Sequence, residues 1–195
     1  MMFKLPRFGM TTSRSSPASR AAPDLKRTSI LLVCMGNICR SPTAEGVLRR
    51  KAEAAGVSHL LHIDSAGTHD YHVGSAPDTR AQKAALGRGY DLSTLRGRHV
   101  SDQDFAAFDY ILVMDRDNFH NLQRRCPEQY KHKVKLYLAF SRRYPNLNVP
   151  DPYYGGSKGF DQVLDMVEDA ADGLLAEIAR DKAQSGPHTS LPPAR

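Results

Sequence analysis

The chain has 195 residues, 41% of them hydrophobic, enough for one ordinary globular domain with its own core. Its formal net charge is +6, but the excess sits at the ends. Residues 1–27 carry Lys4, Arg7, Arg14, Arg20, Lys26 and Arg27 against Asp24 alone, and residues 28–180 are formally neutral, which argues against a nucleic-acid partner. Three cysteines are too few, and odd in number, for a secreted disulfide scaffold. No run of about 18 apolar residues offers a membrane span.

Residues 1–27 are rich in Ser, Thr, Pro, Ala and Arg and read as a disordered extension or an upstream start. An organelle transit segment shares that composition and is the competing reading; a secretory signal lacks its continuous apolar stretch. One domain is expected over residues 28–180, with a flexible tail over 181–195. The reduced cysteines suggest a cytoplasmic setting.

Ile30-Leu31-Leu32-Val33 is a short continuous apolar run, as expected of a buried parallel strand. A helix is predicted from Arg40 to Ala55, with Pro42 tolerated in its first turn and Ala44, Val47, Leu48 and Ala52 at helical spacing. Leu60 to Ile63 reads as a second strand and Asp78 to Gly87 as a helix. Ser101 to Phe108 reads as a short helix whose Ser101 and Asp104 suggest a capping box. Tyr110 to Met114 is a third strand, Asp117 to Arg125 a helix, and Val134 to Leu138 a weaker fourth strand. After a Pro-, Asn- and Gly-rich loop from Ser141 to Ser157, the last helix spans Lys158 to Ala179. Strands alternating with helices call for an α/β fold with an open, mostly parallel sheet covered on both faces. Ligands of such sheets gather beyond the carboxyl ends of the strands, where the topology switches.

The segment Cys34-Met35-Gly36-Asn37-Ile38-Cys39-Arg40-Ser41-Pro42 leaves the first strand at such an end and opens a helix. Backbone amides from Met35 to Ser41 can converge on one anion, with Gly36 free to take a conformation closed to other residues. The helix start adds its positive end. A cysteine held there is suited to react as a thiolate, and Arg40 can fork two bonds onto phosphoryl oxygens. A lone cysteine at a strand end is more often a small buried hydrophobe. Strand, glycine-bearing loop and helix start coincide here, which points to a phosphate or sulfate site.

The stretch Val33 to Pro42 resembles the catalytic loop of the low-molecular-weight protein tyrosine phosphatases. The likeness continues through Asp64-Ser65-Ala66-Gly67-Thr68, Met114-Asp115-Arg116-Asp117-Asn118 and Asp151-Pro152-Tyr153-Tyr154-Gly155, and covers roughly Ser29 to Ala179. It implies a doubly wound four-stranded parallel sheet, a flavodoxin-like three-layer sandwich, working without metal or cofactor. It further implies Cys34 as nucleophile through a phosphocysteine intermediate, Arg40 as phosphoryl ligand, and Asp151 as general acid and then base. Met35, Gly36, Asn37, Ile38, Cys39 and Ser41 would form and support the phosphate loop, with Asn37 bracing it through side-chain to backbone bonds and Ser41 donating to the Cys34 sulfur. Tyr71, Tyr153 and Tyr154 would wall a pocket for a phenyl phosphate. Cys39 would protect Cys34 through a reversible disulfide.

The expected partners are phosphotyrosine proteins, with a tyrosine kinase among the candidates, and the expected state is a monomer or weak homodimer. Asp115 and Asp117 read as helix-start and hydrogen-bonding residues rather than a metal pair. Arsenate reductases that share the loop use further cysteines, and none occurs between Arg80 and Gly89. Ile38 stands where related arginine phosphatases tend to carry Thr. Outside catalysis, the alternatives are a phosphotyrosine- or anion-binding module and a flavin-binding flavodoxin-like protein.

Overall fold

The computed structural model describes residues 27–144, 148–154 and 156–184. The expectations for residues 1–26 and 185–195 lie outside them. Four strands form one parallel sheet: β1 (Thr28–Cys34), β2 (Leu61–Gly67), β3 (Tyr110–Val113) and β4 (Val134–Leu136), in the order β2-β1-β3-β4. The helices are α1 (Arg40–Ala54), α2 (Thr79–Leu86), α3 (Asp102–Ala107), α4 (Arg116–Arg125) and α5 (Ser157–Gln184). This is the doubly wound α/β sandwich the sequence predicts.

Side chains alternate across β1 and divide the core in two. Ile30, Leu32 and Cys34 join α1 and α5 in one cluster, while Leu31 and Val33 join Phe105, Phe108 and Leu122 on the other face. Ile30 to Val33 are fully buried, and each such side chain contributes about 1.5–3 kcal/mol relative to exposure. β1 therefore anchors the sheet, and its partners diverge at its end: Cys34 is in register with Gly67 of β2, and Val33 with Val113 of β3. The loop that leaves Cys34 emerges at this switch point.

Three of the boundary differences from expectation have a tertiary cause. β2 runs four residues past Ile63, because the polar side chains that follow have tertiary partners: Asp64 pairs with Arg98 at 2.8 Å, and Ser65 donates to Glu45 at 2.6 Å. β4 stops at Leu136, since Tyr137–Phe140 turn into a 3-10 segment whose Tyr137 and Leu138 are buried in the α5 cluster. α5 continues to Gln184 rather than Ala179, its last turns held by Tyr110 Oη donating to Asp181 and Lys182 Nζ donating to the Leu60 carbonyl. Gly173 permits the contact between α5 and that 3-10 segment, because a Cβ there would lie 1.9 Å from the Phe140 carbonyl oxygen.

Candidate active site

Residues 35–39 connect β1 to α1 and curl back beneath the helix start. The N–H groups of Gly36, Ile38, Cys39, Arg40 and Ser41 have no backbone acceptor among the described residues. The first turn of α1 carries no acidic side chain, and Cys39 at its N-cap makes no capping bond. An anion finds here unpaired donors and the positive end of a helix together.

Cys34 Sγ lies at the floor, 3% exposed. Ser41 Oγ donates to it at 3.0 Å and the Asn37 N–H at 3.3 Å, an arrangement that stabilises negative charge on sulfur. Behind Ser41 runs a buried relay: Asn37 Nδ2 donates to both Ser41 Oγ and Ser65 Oγ at 2.9 Å, and Ser65 Oγ donates to Glu45, which Arg49 pairs at 2.7 Å. Asn37 Oδ1 accepts the Arg98 N–H at 2.9 Å. The Asn37 brace is thus mainly side chain to side chain, with a single backbone bond rather than the set expected.

The left-handed residue of the loop is also not the one expected. Asn37 has φ of 55°, whereas Gly36 is not among the positive-φ residues. Asparagine tolerates this region because its side chain bonds locally. At Gly36 the constraint is space instead: a Cβ would stand 3.0 Å from His72 Cδ2, so the imidazole would have to shift by a few tenths of an ångström. The loop is fastened outside as well: Thr68 and His69 donate to the Cys34 and Met35 carbonyls at 2.9 and 3.0 Å, and Asp78 to the Ile38 carbonyl at 2.8 Å. Gly67 allows that approach, because a Cβ there would meet the Met35 oxygen at 2.8 Å.

Arg40 is 3% exposed and reaches three partners. Nη1 donates to Asp115 Oδ2 at 2.5 Å and to the Val149 carbonyl at 3.3 Å, and Nη2 donates to Asp151 Oδ2 at 2.9 Å. Burial works against its charge, but Cys34, Asp151 and Asp115 outweigh it and raise its pKa. Nε and the second Nη2 hydrogen have no acceptor among the described residues, so one edge of the fork remains for phosphoryl oxygens. Asp115 is a helix-start and hydrogen-bonding residue, as expected: its Oδ1 accepts the Asn118 N–H at 2.7 Å as the N-cap of α4. Its place in the site, where its other oxygen holds Arg40, is what sequence reasoning missed.

Asp151 reaches the site because Val149 N–H bonds the Met114 carbonyl at 2.7 Å, extending the sheet end toward the loop. The pocket above Cys34 has a volume of about 290 Å³ and is lined by Met35, Gly36, Ile38, Cys39, Arg40, Tyr71, His72, Asp151, Tyr153 and Tyr154. Asn37 and Ser41 stand behind it, almost fully buried. Tyr71, stacked on His69 with centroids 5.2 Å apart, and Tyr154, set edge-on against Tyr153 at 5.0 Å, form its exposed rim. Cys39 lies in the same pocket, where burial first, then the Asp78 charge, pushes its thiol up to about 12. No group of His, Cys, Asp or Glu among the described residues could hold a metal ion, and no helix among them is long and apolar enough to cross a membrane.

A buried sulfur that faces an anion-binding loop and an arginine fork, at the switch point of a doubly wound sheet, defines the class of cysteine-dependent phosphatases. The sequence model of the low molecular weight phosphotyrosine protein phosphatases matches residues 29–184. A Synechocystis protein is 44% identical over 153 residues, 78% of this chain and 97% of its own length. The low molecular weight phosphotyrosine protein phosphatase of Schizosaccharomyces pombe is 40% identical over 155 residues, covering 79% of this chain and 99% of its own. The crystal structure of a protein tyrosine phosphatase from Entamoeba histolytica, with Hepes in its active site, superposes with a TM-score of 0.77 at 43% identity, over 80% of this chain and 99% of that one. YfkJ from Bacillus subtilis superposes with a TM-score of 0.76 at 34% identity, over 80% and 98%. The chain belongs to the low molecular weight phosphotyrosine protein phosphatase family.

Proposed function

We propose that this protein hydrolyses phosphotyrosine in protein substrates through a phosphocysteine intermediate, with Cys34, Arg40 and Asp151 as the reacting constellation. The observation that carries this reading is the contact between Arg40 and Asp151, 2.9 Å across a separation of 111 residues. It brings an acid to the same pocket as the nucleophile and the phosphoryl ligand.

In the first step the Cys34 thiolate attacks phosphorus, and the S–P bond forms as the P–O bond to the aryl group breaks. Asp151, protonated, gives its proton to the departing phenolate, which leaves poorly without it. The loop amides and the open edge of Arg40 take up the equatorial oxygens, where charge spreads in the transition state. In the second step the Asp151 carboxylate accepts a proton from water as its oxygen attacks phosphorus. The S–P bond breaks, releasing inorganic phosphate and restoring the thiolate. Ser41 and Asn37 hold the sulfur's charge in both resting and departing states.

The aromatic rim supports an aryl rather than a short alkyl phosphate. Tyr71, Tyr153 and Tyr154 line the pocket and remain exposed, and such rings pack well against an aryl group. A reducing, cytoplasmic setting belongs to the same proposal, since Cys34 must remain a free thiol, as it is here. The test is metal-free hydrolysis of p-nitrophenyl phosphate and a phosphotyrosyl peptide by wild type, C34S and D151N. Turnover abolished in C34S and strongly reduced in D151N supports the mechanism. Peptide binding without turnover by reduced wild type would make the protein a phosphotyrosine-binding module instead.

A further inference from the structure

Arg80 belongs neither to the phosphate loop nor to the loop that carries Asp151, yet it connects them. The connection starts at Asp78, whose N–H donates to the Ile38 carbonyl at 2.8 Å. The Asp78 carboxylate caps α2 by accepting the Arg80 N–H at 2.8 Å, and it also takes the guanidinium in a fork, Nε to Oδ1 at 3.0 Å and Nη2 to Oδ2 at 2.7 Å. That fork turns Nη1 toward the Tyr153 carbonyl, to which it donates at 3.0 Å. The guanidinium lies 5.3 Å from the Tyr153 ring centroid and 5.1 Å from that of Phe160, which is buried against Cys39 and Ala81. Tyr153 N–H in turn donates to Asp151 Oδ1 at 3.1 Å.

The Asp151 carboxylate is therefore held at both oxygens, one by Arg40 directly and the other by the turn that Arg80 grips. Arg80 is about half exposed, so its pairing with Asp78 adds little to folding stability, and its place between two catalytic loops is better explained by alignment. We infer that Asp78 and Arg80 form a strut fixing the Asp151 loop relative to the phosphate loop, which makes Arg80 a positioning residue for proton transfer to the leaving group. This inference rests on the assignment of Asp151 as the acid.

The experiment compares kcat/KM for two aryl phosphates. p-Nitrophenolate leaves readily without a proton and phenolate does not, so a displaced acid harms phenyl phosphate hydrolysis selectively. The proteins are wild type, Arg80→Ala, Asp78→Asn, D151N and the D151N/Arg80→Ala double variant, each assayed below its thermal midpoint. Asn still caps α2, so Asp78→Asn tests the strut should Arg80→Ala fail to fold. The strut predicts that Arg80→Ala lowers kcat/KM for phenyl phosphate about tenfold more than for p-nitrophenyl phosphate. Asp78→Asn shifts the ratio in the same direction, and Arg80→Ala adds no selective loss on the D151N background. Equal losses on both substrates, no loss, or a selective loss that persists without Asp151 would each overturn it. D151N showing no selectivity at all would instead overturn the acid assignment, with the strut falling for that separate reason.

Discussion

Arg40 Nη1 and Asp115 Oδ2 lie 2.5 Å apart, and this contact ties the phosphate loop to the start of α4. Asp115 turns one oxygen to the helix and the other to the arginine, so two variants separate its tasks. Asp115→Asn keeps an effective cap but removes the charge that orients the guanidinium. It should lower kcat/KM about tenfold and destabilise the fold by about 1–3 kcal/mol. Asp115→Ala loses the cap too, at a further cost of about 1 kcal/mol. Kinetics and urea unfolding of both variants check this; wild-type kinetics in Asp115→Asn would contradict it.

The positive φ of Asn37 yields a second test. Asn37→Ala should combine backbone strain with the loss of partners for Ser41, Ser65 and the Arg98 N–H. Asn37→Gly loses the same partners without the strain, so it should be the more stable of the two by about 1 kcal/mol. Both should lose most of their activity, since the loop loses its brace. Denaturant titrations decide it, and equal stabilities would show that the backbone is unstrained there.

Glu45 gives a stability profile with a definite sign. Burial raises its pKa from 4.5, against the opposing hydrogen bond from Ser65 and the charge of Arg49. Above its ordinary value the unfolded chain releases this proton before the folded chain does, so the folded state binds more protons. That contribution to stability is complete below about pH 4.5 and is lost as pH rises through the raised folded value. Glu45→Gln removes the titration. The thermal midpoint of wild type should fall relative to that of Glu45→Gln as pH climbs from 4.5 into the neutral range. A constant difference would contradict the raised value.

Cys39, with its pKa near 12, is a neutral thiol at physiological pH. Limited iodoacetamide at neutral pH should therefore label Cys34 first, and C34S should resist labelling. After mild peroxide, a Cys34 sulfenic acid can condense with the Cys39 thiol, forming a disulfide and releasing water. Cys39→Ser should then recover less activity than wild type on addition of a thiol reductant. Equal recovery would remove Cys39 from this role.

The parts of this molecule that follow local rules were legible in the sequence. The apolar run of β1, the spacing of α1 and the capping box of Ser101 and Asp104 predicted their elements, and the order of strands and helices predicted the sheet and the place of Cys34 at its switch point. The misreadings share one cause, which is long-range pairing. The strand expected to end at Ile63 runs on to Gly67, and Asp64 and Ser65 within it pair with Arg98 and Glu45, which lie far along the chain. Asp115 reads as a helix-start and hydrogen-bonding residue, but its partner Arg40 is 75 positions away and carries no local signal. Gly36 drew attention as the residue free to take unusual angles, while the fold used the bonding capacity of Asn37 instead. Arg80 carries no local signal, since its meaning arises only when the Tyr153 turn lies against α2.

The covalent intermediate is the central claim, and mass spectrometry after rapid acid quench tests it most directly. Enzyme mixed with excess p-nitrophenyl phosphate, quenched and digested, should yield the peptide containing Cys34 heavier by one phosphoryl group on its sulfur. The same peptide from C34S should be unmodified. Steady turnover by wild type with no adduct on Cys34 at any quench time, and with C34S still active, would contradict the account.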